Sequence, residues 1–234
     1  MKVAYTVSEK IAPYVHASIL SLLEHNDVEK IYIFVESEDC KRALKVPDVC
    51  EVINVRNQRY FNKNGINVNE QFPWIARIRI CMAKMLKNEN LVLYLDADTI
   101  ICDSLIPIWD TDMEGKWLAM VDEVNGQWHP YGPHYFNCGV MLMNLEQIRK
   151  DKIDDEWIHF FDNEYVWLGE QDTFNRFKFD KIVSLPFRYN EFPATGISDN
   201  PAIVHYATYP NWYKDETIPR VEYLNKYLKK RRKA

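Results

Sequence analysis

Long apolar runs are missing from this 234-residue chain. No stretch approaches the roughly 20 consecutive apolar residues that a membrane helix needs, and the opening MKVAYTVSEK lacks the extended apolar segment of a signal peptide. Cysteine is scattered: Cys40, Cys50, Cys81, Cys102 and Cys138 are odd in number and never fall as C-x-x-C. Reduced thiols in a cytosol are therefore expected, rather than a disulfide framework or a zinc site. No internal repeat or low-complexity linker interrupts the sequence. Val7 to Pro13 holds no glycine and one cation, Lys10, so the glycine-rich basic loop that nucleotidyl transfer would want is absent. Charge is unevenly distributed along the chain. The net charge is −5, yet Lys229, Lys230, Arg231, Arg232 and Lys233 supply five positive charges, so the remainder sums to −10. Nucleic-acid binding by the globular part is thereby disfavoured.

What is present is the alternation of an α/β protein. Hydrophobic residues at 47% and charged residues at 27% suit a soluble globular chain long enough for a substantial core. Lys2 to Val7 reads as a strand, a helical stripe of Val15, Ile19, Leu22 and Leu23 follows, and Ile31 to Val35 is a second strand. This β-α-β opening predicts a parallel pair with a right-handed crossover. A short helix over Lys41 to Leu44 and a strand over Val49 to Val55 extend the series. Gln58 to Pro73 is polar, aromatic and long for a structureless connection, which marks a flap or a binding loop. A helix is predicted from Trp74 to about Lys87 on the buried stripe Ile75, Ile78, Met82 and Met85. Further strands are expected over Trp117 to Val121, from Tyr135 onward, over Ile182 to Pro186 and over Ile203 to Tyr206. Gly126 to Pro133 is an aromatic loop with Trp128, His129 and Tyr131. One boundary is drawn, separating a domain at 1–219 from a basic C-terminal helix or tail at 220–234.

The chemistry concentrates in LVLYLDADTIICD, Leu91 to Asp103. Leu91 to Leu95 is an apolar run of strand length, suited to a strand buried on both faces. It breaks into Asp96-Ala97-Asp98. Carboxylates at i and i+2 on extended backbone project to one side, and burying them together is costly unless a cation sits between them. Hard oxygen ligands at a strand end suit Mg²⁺ or Mn²⁺ with a phosphate, so the expectation is a metal and nucleotide-diphosphate site. A second D-x-D, Asp110-Thr111-Asp112, has no apolar run before it and reads as a solvated turn.

Taken in order, these segments resemble the retaining family 8 glycosyltransferases, the group of glycogenin and the bacterial lipooligosaccharide galactosyltransferases. The resemblance rests on Ser18 to Leu23, on Arg77 before the acidic strand, and on YLDADTII from Tyr94 to Ile101. YFNCGVMLMNL from Tyr135 to Leu145, EQDTFN from Glu170 to Asn175, and His205-Tyr206 complete it. It implies a GT-A type α/β fold, with a Rossmann-like, mostly parallel central sheet flanked by helices. It also implies Mn²⁺-dependent transfer (or Mg²⁺ in its place) of a hexose, glucose or galactose, from a UDP-sugar to a saccharide or lipid-linked glycan. Asp96, Asp98 and His205 resemble the family's metal ligands. Ala97 would lie by the ribose, Arg77, Asn137 and Gly139 by the donor sugar, and Gln171 nearest the reacting carbon. Glu170 and Asp172 are the carboxylates that a covalent relay would use, and Asp122 matches an acidic position near the substrates.

Departures from the family pattern matter as well. Ser8, Lys10 and Ile11 stand where the family has a uracil-reading aspartate and an Asn-Tyr pair, leaving Thr6 and Val7 to meet the base. Thr208 replaces a glycine after His205, and the phosphate-binding lysine is missing from its place, with Lys214 nearby as a substitute. These changes keep open a non-catalytic sugar-nucleotide or glycan-binding relative, beside the metal-dependent nucleotidyltransferase. Tyr223, Leu224, Tyr227 and Leu228 recur at helical spacing before the basic cluster. Two readings of that tail stand: a cytoplasmic protein docking on the inner face of an anionic membrane, or a terminal helix packed on its domain.

Overall fold

The computed structural model describes residues 1–68, 73–123, 133–177, 179–207, 209 and 211–228 (for 179, the backbone alone). The expectations for 69–72 of the Gln58 to Pro73 loop, for Trp128, His129, Tyr131 and Thr208, and for the basic cluster Lys229 to Lys233 lie outside the described residues.

Strand β1 (Lys2–Val7), helix α1 (Val15–His25) and strand β2 (Lys30–Val35) open the chain, and β1 and β2 pair in parallel from Lys2↔Lys30 to Val7↔Val35. Helix α2 (Glu38–Ala43) leads to β3 (Cys50–Asn54), parallel to β2. The central strand β4 (Leu91–Leu95) lies parallel to β1. Beyond it come β6 (Leu118–Asp122), β7 (Phe136–Asn144) and β8 (Ile182–Leu185), giving the order β3-β2-β1-β4-β7-β6-β8. The two pairs made by β7 are antiparallel and the other four are parallel.

The apolar run of β4 alternates between two cores, as the pleat requires. Val92 and Tyr94 pack with Phe34, Met141, Trp157 and Phe174 on one face. Leu93 and Leu95 pack with Val3, Tyr5, Ile19 and Leu22 of β1 and α1 on the other. Burying each such leucine contributes about 1.5–3 kcal/mol. Short helix α4 (Ile106–Trp109) adds Ile108 to the second face, and helices α5 (Leu145–Asp151), α6 (Ile153–Asn163) and α7 (Glu170–Arg176) supply the cover of the first.

Three local departures from the expected elements shape the site. First, Trp74–Cys81 is a 3₁₀ helix, and only Met82–Met85 (α3) is α-helical. Isoleucines at 75, 78 and 80 lower the α-helical propensity of this stretch. At three residues per turn, Pro73, Ala76 and Arg79 form one row and Arg77 belongs to another. Second, Asp96-Ala97-Asp98 is a turn rather than extended backbone, closed by Thr99 N–H to Asp96 O at 3.3 Å and Thr99 Oγ1 to the same oxygen at 2.8 Å. Third, the register between β6 and β7 slips between Met120↔Met141 and Val121↔Asn137. Cys138, Gly139 and Val140 form the resulting bulge, a device that re-aims side chains beside a site.

Strand β5 (Thr99–Ile101) leaves the turn and pairs antiparallel with β9 (Ile203–His205), placing His205 opposite Thr99. Buried α1 serines anchor β5. Ser21 Oγ accepts from Ile101 N at 2.9 Å, and Ser18 Oγ donates to Thr99 Oγ1 at 3.0 Å. After Arg220, helix α8 (Val221–Leu228) lies on α1 through Leu224 and Tyr227, with Lys226 Nζ 2.6 Å from Glu24. No helix among the described residues is long and apolar enough to cross a membrane.

Candidate active site

A cleft of about 830 Å³ opens at the carboxyl ends of β1 and β4. Asp96 and Asp98 stand on its floor with side chains 24% and 22% exposed, while His205 is 2% exposed beneath them. His205 Nε2 lies 3.2 Å from Asp98 Oδ1 and 3.8 Å from Asp96 Oδ2. One ligand atom from each of the three falls within 4.8 Å of the other two.

The orientation of that imidazole follows from a backbone donor. Gly139 N–H can only donate, so the Asn137 atom facing it at 2.8 Å is Oδ1. The Asn190 group 3.0 Å from that same oxygen must then be Nδ2, which leaves Asn190 Oδ1 facing His205 Nδ1 at 2.8 Å. His205 therefore carries a proton on Nδ1 and aims Nε2 at the aspartates. This is how a ligating histidine is held by its outer partner. Gly139 is required for the same reason: a Cβ there would sit 2.1 Å from His205 Cε1. Two carboxylates and a pre-aimed imidazole form a donor set that fits a divalent cation. Burial opposes the imidazolium, but Asp98 and Asp96 hold His205 above its ordinary pKa. Burial pulls Asp96 up against the pull of Arg79, while His205 outweighs burial and holds Asp98 down.

Arg79 frames the other side. Its Nη2 lies 2.6 Å from Glu170 Oε1, its Nη1 lies 3.2 Å from Asp96 Oδ1, and Nη1 also donates to Cys138 O at 2.9 Å. Thr6 Oγ1 donates to Tyr94 Oη at 2.7 Å, which donates to Asp96 Oδ1 at 2.6 Å. Gln171 is fixed at both ends: Oε1 accepts from Cys138 N at 3.2 Å, and Nε2 donates to Glu123 Oε2 at 2.8 Å.

Of the residues expected from sequence, Thr6, Asp96, Ala97, Asp98, Asn137, Gly139, Glu170, Gln171 and His205 line this cleft, with Ser8 and Ile11 beside them. Five do not. Arg77 lies beneath the cleft wall with its guanidinium 4.6 Å from the Phe161 ring, because the 3₁₀ phase turns Arg79 inward in its place. Asp172 is buried and accepts from Tyr135 Oη, Trp167 N and Leu168 N at 2.6, 2.8 and 3.0 Å, so it is a loop anchor rather than a nucleophile. Asp122 pairs with His134 at 2.6 Å, and its neighbour Glu123 reaches the cleft. Val7 is buried in the core with Leu95. Lys214 lines a smaller cavity against α8. Sequence reading missed Arg79, Glu123 and Asn190. Only Arg79 carried a local signal, its position two residues after the arginine that was chosen.

A Rossmann-like sheet with an acidic pair and a histidine at its strand ends is the arrangement of GT-A glycosyltransferases. The chain belongs to glycosyl transferase family 8, whose family model matches residues 2–212. Its fold is similar to that of the galactosyltransferase LgtC, solved with donor and acceptor sugar analogues. The TM-score is 0.77 at 20% identity, over 98% of this chain and 96% of that one. It is also similar to GlyE of Streptococcus pneumoniae TIGR4, at TM-score 0.73 and 21% identity, covering 97% of this chain and 59% of that one. Among curated relatives, General stress protein A of Bacillus subtilis is 24% identical over 88% of this chain and 85% of its own length. A probable glycosyl transferase, Gly, of Streptococcus gordonii is 27% identical over 86% of this chain, which spans 31% of that protein.

Proposed function

We propose that this chain is a retaining hexosyltransferase. It would move a glucose or galactose from a UDP-sugar to a saccharide hydroxyl, with Mn²⁺ held by Asp96, Asp98 and His205. The observation that carries the reading is the imidazole aimed by Asn190 at two carboxylates on the floor of a cleft. A bound divalent cation supplies stabilisation of the negative charge that develops on the departing diphosphate. Thr6, Ala97, Asn137 and Gly139 line the donor side in this reading, and Arg79 replaces Arg77 as the cation facing the sugar. The protein is read as cytoplasmic, with 220–234 as a basic appendage able to meet an anionic membrane.

The chain's own groups favour attack from the face that UDP leaves. A covalent relay wants a free carboxylate nucleophile. Asp172 is saturated by three donors, and Glu170 is held by Arg79. Gln171 is a carboxamide, suited to lend its carbonyl dipole to an oxocarbenium-like sugar and unsuited to bond with it. A diphosphate oxygen then accepts the acceptor's proton. Trapping a glycosyl adduct on Glu170 would overturn this choice of mechanism.

The test is UDP release from a panel of UDP-sugars with Mn²⁺, with chelator, and for Asp98→Asn. Release from one donor, abolished by both interventions, is the expected result and names the sugar. Metal-dependent UDP binding without turnover, even with saccharide acceptors present, would assign a binding-only relative. No UDP binding at all would remove the donor assignment.

A further inference from the structure

Among the described residues, six large hydrophobic side chains are exposed, and four of them fall on two neighbouring segments. Trp167 is 81% exposed and Tyr165 77%, on the turn before α7; Ile66 and Tyr60 lie in the loop after β3. The two segments are stitched together by a buried side chain. Asn67 Nδ2 donates to Phe161 O at 2.6 Å and Glu164 O at 2.7 Å, and Asn67 Oδ1 accepts from Val166 N at 3.0 Å. Asp162 adds a bond to Asn62 N at 3.2 Å. From the other side, Asp172 Oδ2 holds the amides of Trp167 and Leu168.

The loop is therefore pinned at both ends, with Val166 buried between two rings turned out to solvent. The turn runs directly into the cleft wall, with Leu168, Glu170 and Gln171 following Trp167, and Pro73 and Ala76 of the same cleft come after Ile66 in the chain. A loop fixed this firmly does not expose a tryptophan for want of a place to bury it. Exposed apolar rings rimmed by polar groups mark a binding surface.

We propose that Tyr165 and Trp167 form a platform for an extended saccharide acceptor, stacking on the C–H faces of pyranose units beyond the one that receives the hexose. The inference rests on the transferase reading above and narrows its acceptor to an oligosaccharide. Flat rings offering area at little conformational cost suit a sugar's apolar face. Continuity with the cleft favours the substrate over a protein partner as the occupant.

The experiment compares wild type with Trp167→Ala, Trp167→Phe and Tyr165→Ala. KM is measured for maltohexaose, cellohexaose and a β-galactan hexaose against the corresponding monosaccharides, and hexaose binding is measured by calorimetry. Trp167→Ala is expected to raise the KM for the preferred hexaose about tenfold and to leave the donor KM and the monosaccharide KM in place. Trp167→Phe should recover most of the loss. An unchanged hexaose KM overturns the platform, as does an equal loss toward monosaccharides. If wild type turns over no UDP-sugar, the transferase reading fails on its own, and calorimetry still decides the platform. Hexaose binding weakened by Trp167→Ala supports it, and no binding of any of the three glycans overturns it. Trp167-dependent sedimentation with anionic phospholipid vesicles, without any glycan effect, would assign the surface to a membrane and likewise overturn it.

Discussion

Replacing Asn190 by alanine tests the site where its logic is tightest. The side chain is fully buried and touches no cation ligand except His205, whose Nδ1 it accepts at 2.8 Å. Without it the Nδ1 proton is left in a buried place with no acceptor, a cost of about 1–3 kcal/mol. The ring escapes by moving that proton to Nε2, where Asp98 Oδ1 at 3.2 Å accepts it. That tautomer keeps its one proton on the nitrogen a cation must take, whereas the Asn190 acceptor holds a proton on Nδ1 and lets Nε2 give up its own to the cation. Loss of such an outer partner costs about 10–100-fold in metal affinity, or about 1.4–2.7 kcal/mol, in line with the burial argument. The assay is a Mn²⁺ titration followed by the electron paramagnetic resonance of the free ion, with a thermal melt to confirm folding. Asn190→Asp retains an acceptor at Nδ1 and is expected to keep more of the affinity than Asn190→Ala. A folded Asn190→Ala that binds Mn²⁺ within twofold of wild type refutes the tautomer argument and leaves the aspartates as sufficient ligands.

Gly139→Ala would place a methyl 2.1 Å from His205 Cε1; Mn²⁺ affinity should fall further than for Asn190→Ala, with about 1–3 kcal/mol lost in urea unfolding. Arg79→Lys should lower UDP release at least about tenfold by losing the fork between Asp96 and Glu170, while Arg77→Lys, at the Phe161 ring, should change it less than about threefold. Glu89 accepts from Lys2 at 2.6 Å and Tyr32 at 2.5 Å, and these bonds outweigh burial and hold its pKa below the ordinary value. A carboxylate with a depressed folded pKa stabilises above its unfolded value near ~4.3 and loses that contribution as pH falls through the folded one. Glu89→Gln should thus unfold more easily than wild type at pH 7, with the gap closing below about pH 4. Mn²⁺ at about 100 times its Kd should add roughly 2.7 kcal/mol of stability, raising Tm by about 5–10 °C; chelator should erase the shift, and an unmoved Tm would count against the metal site.

The elements legible in the sequence were those with a strong period. The apolar runs of β1 and β4 follow from burial on two faces, and α1 from its apolar stripe. The acidic pair was legible because it interrupts β4 abruptly. What failed was phase. Arg77 is what the resemblance implies within a stretch expected to be α-helical, whereas the three-residue row of Pro73 and Ala76 carries Arg79 to the cleft, and nothing in the arginines themselves distinguishes the two. Asp122, placed by the resemblance, ends β6, and the cleft is reached by the next residue, Glu123. Asp172 sits in the motif that marks the site, yet its role is fixed by three donors, one of them 37 residues away. Asn190 left no local trace, because its function exists only through contacts with Asn137 and His205.

These contacts also explain how the fold tolerates two carboxylates on one short turn. Like charges this close are costly in a protein interior, and each carboxylate here has its own compensation before any cation arrives. Asp96 takes Arg79 and the hydroxyl of Tyr94; Asp98 takes His205. The partners are themselves held, Arg79 by Glu170 and the Cys138 carbonyl, His205 by Asn190. Removing one member of such a buried set leaves the rest uncompensated. The arrangement is thus assembled by folding, with the ligand atoms already converged, and a cation entering the cleft would have little left to reorganise. The bulge in β7 ties this frame to the sheet: Gly139 O accepts from Asp96 N at 2.7 Å, and its N–H starts the relay that sets the histidine. One residue without a side chain therefore positions the first aspartate, admits the imidazole and fixes its tautomer.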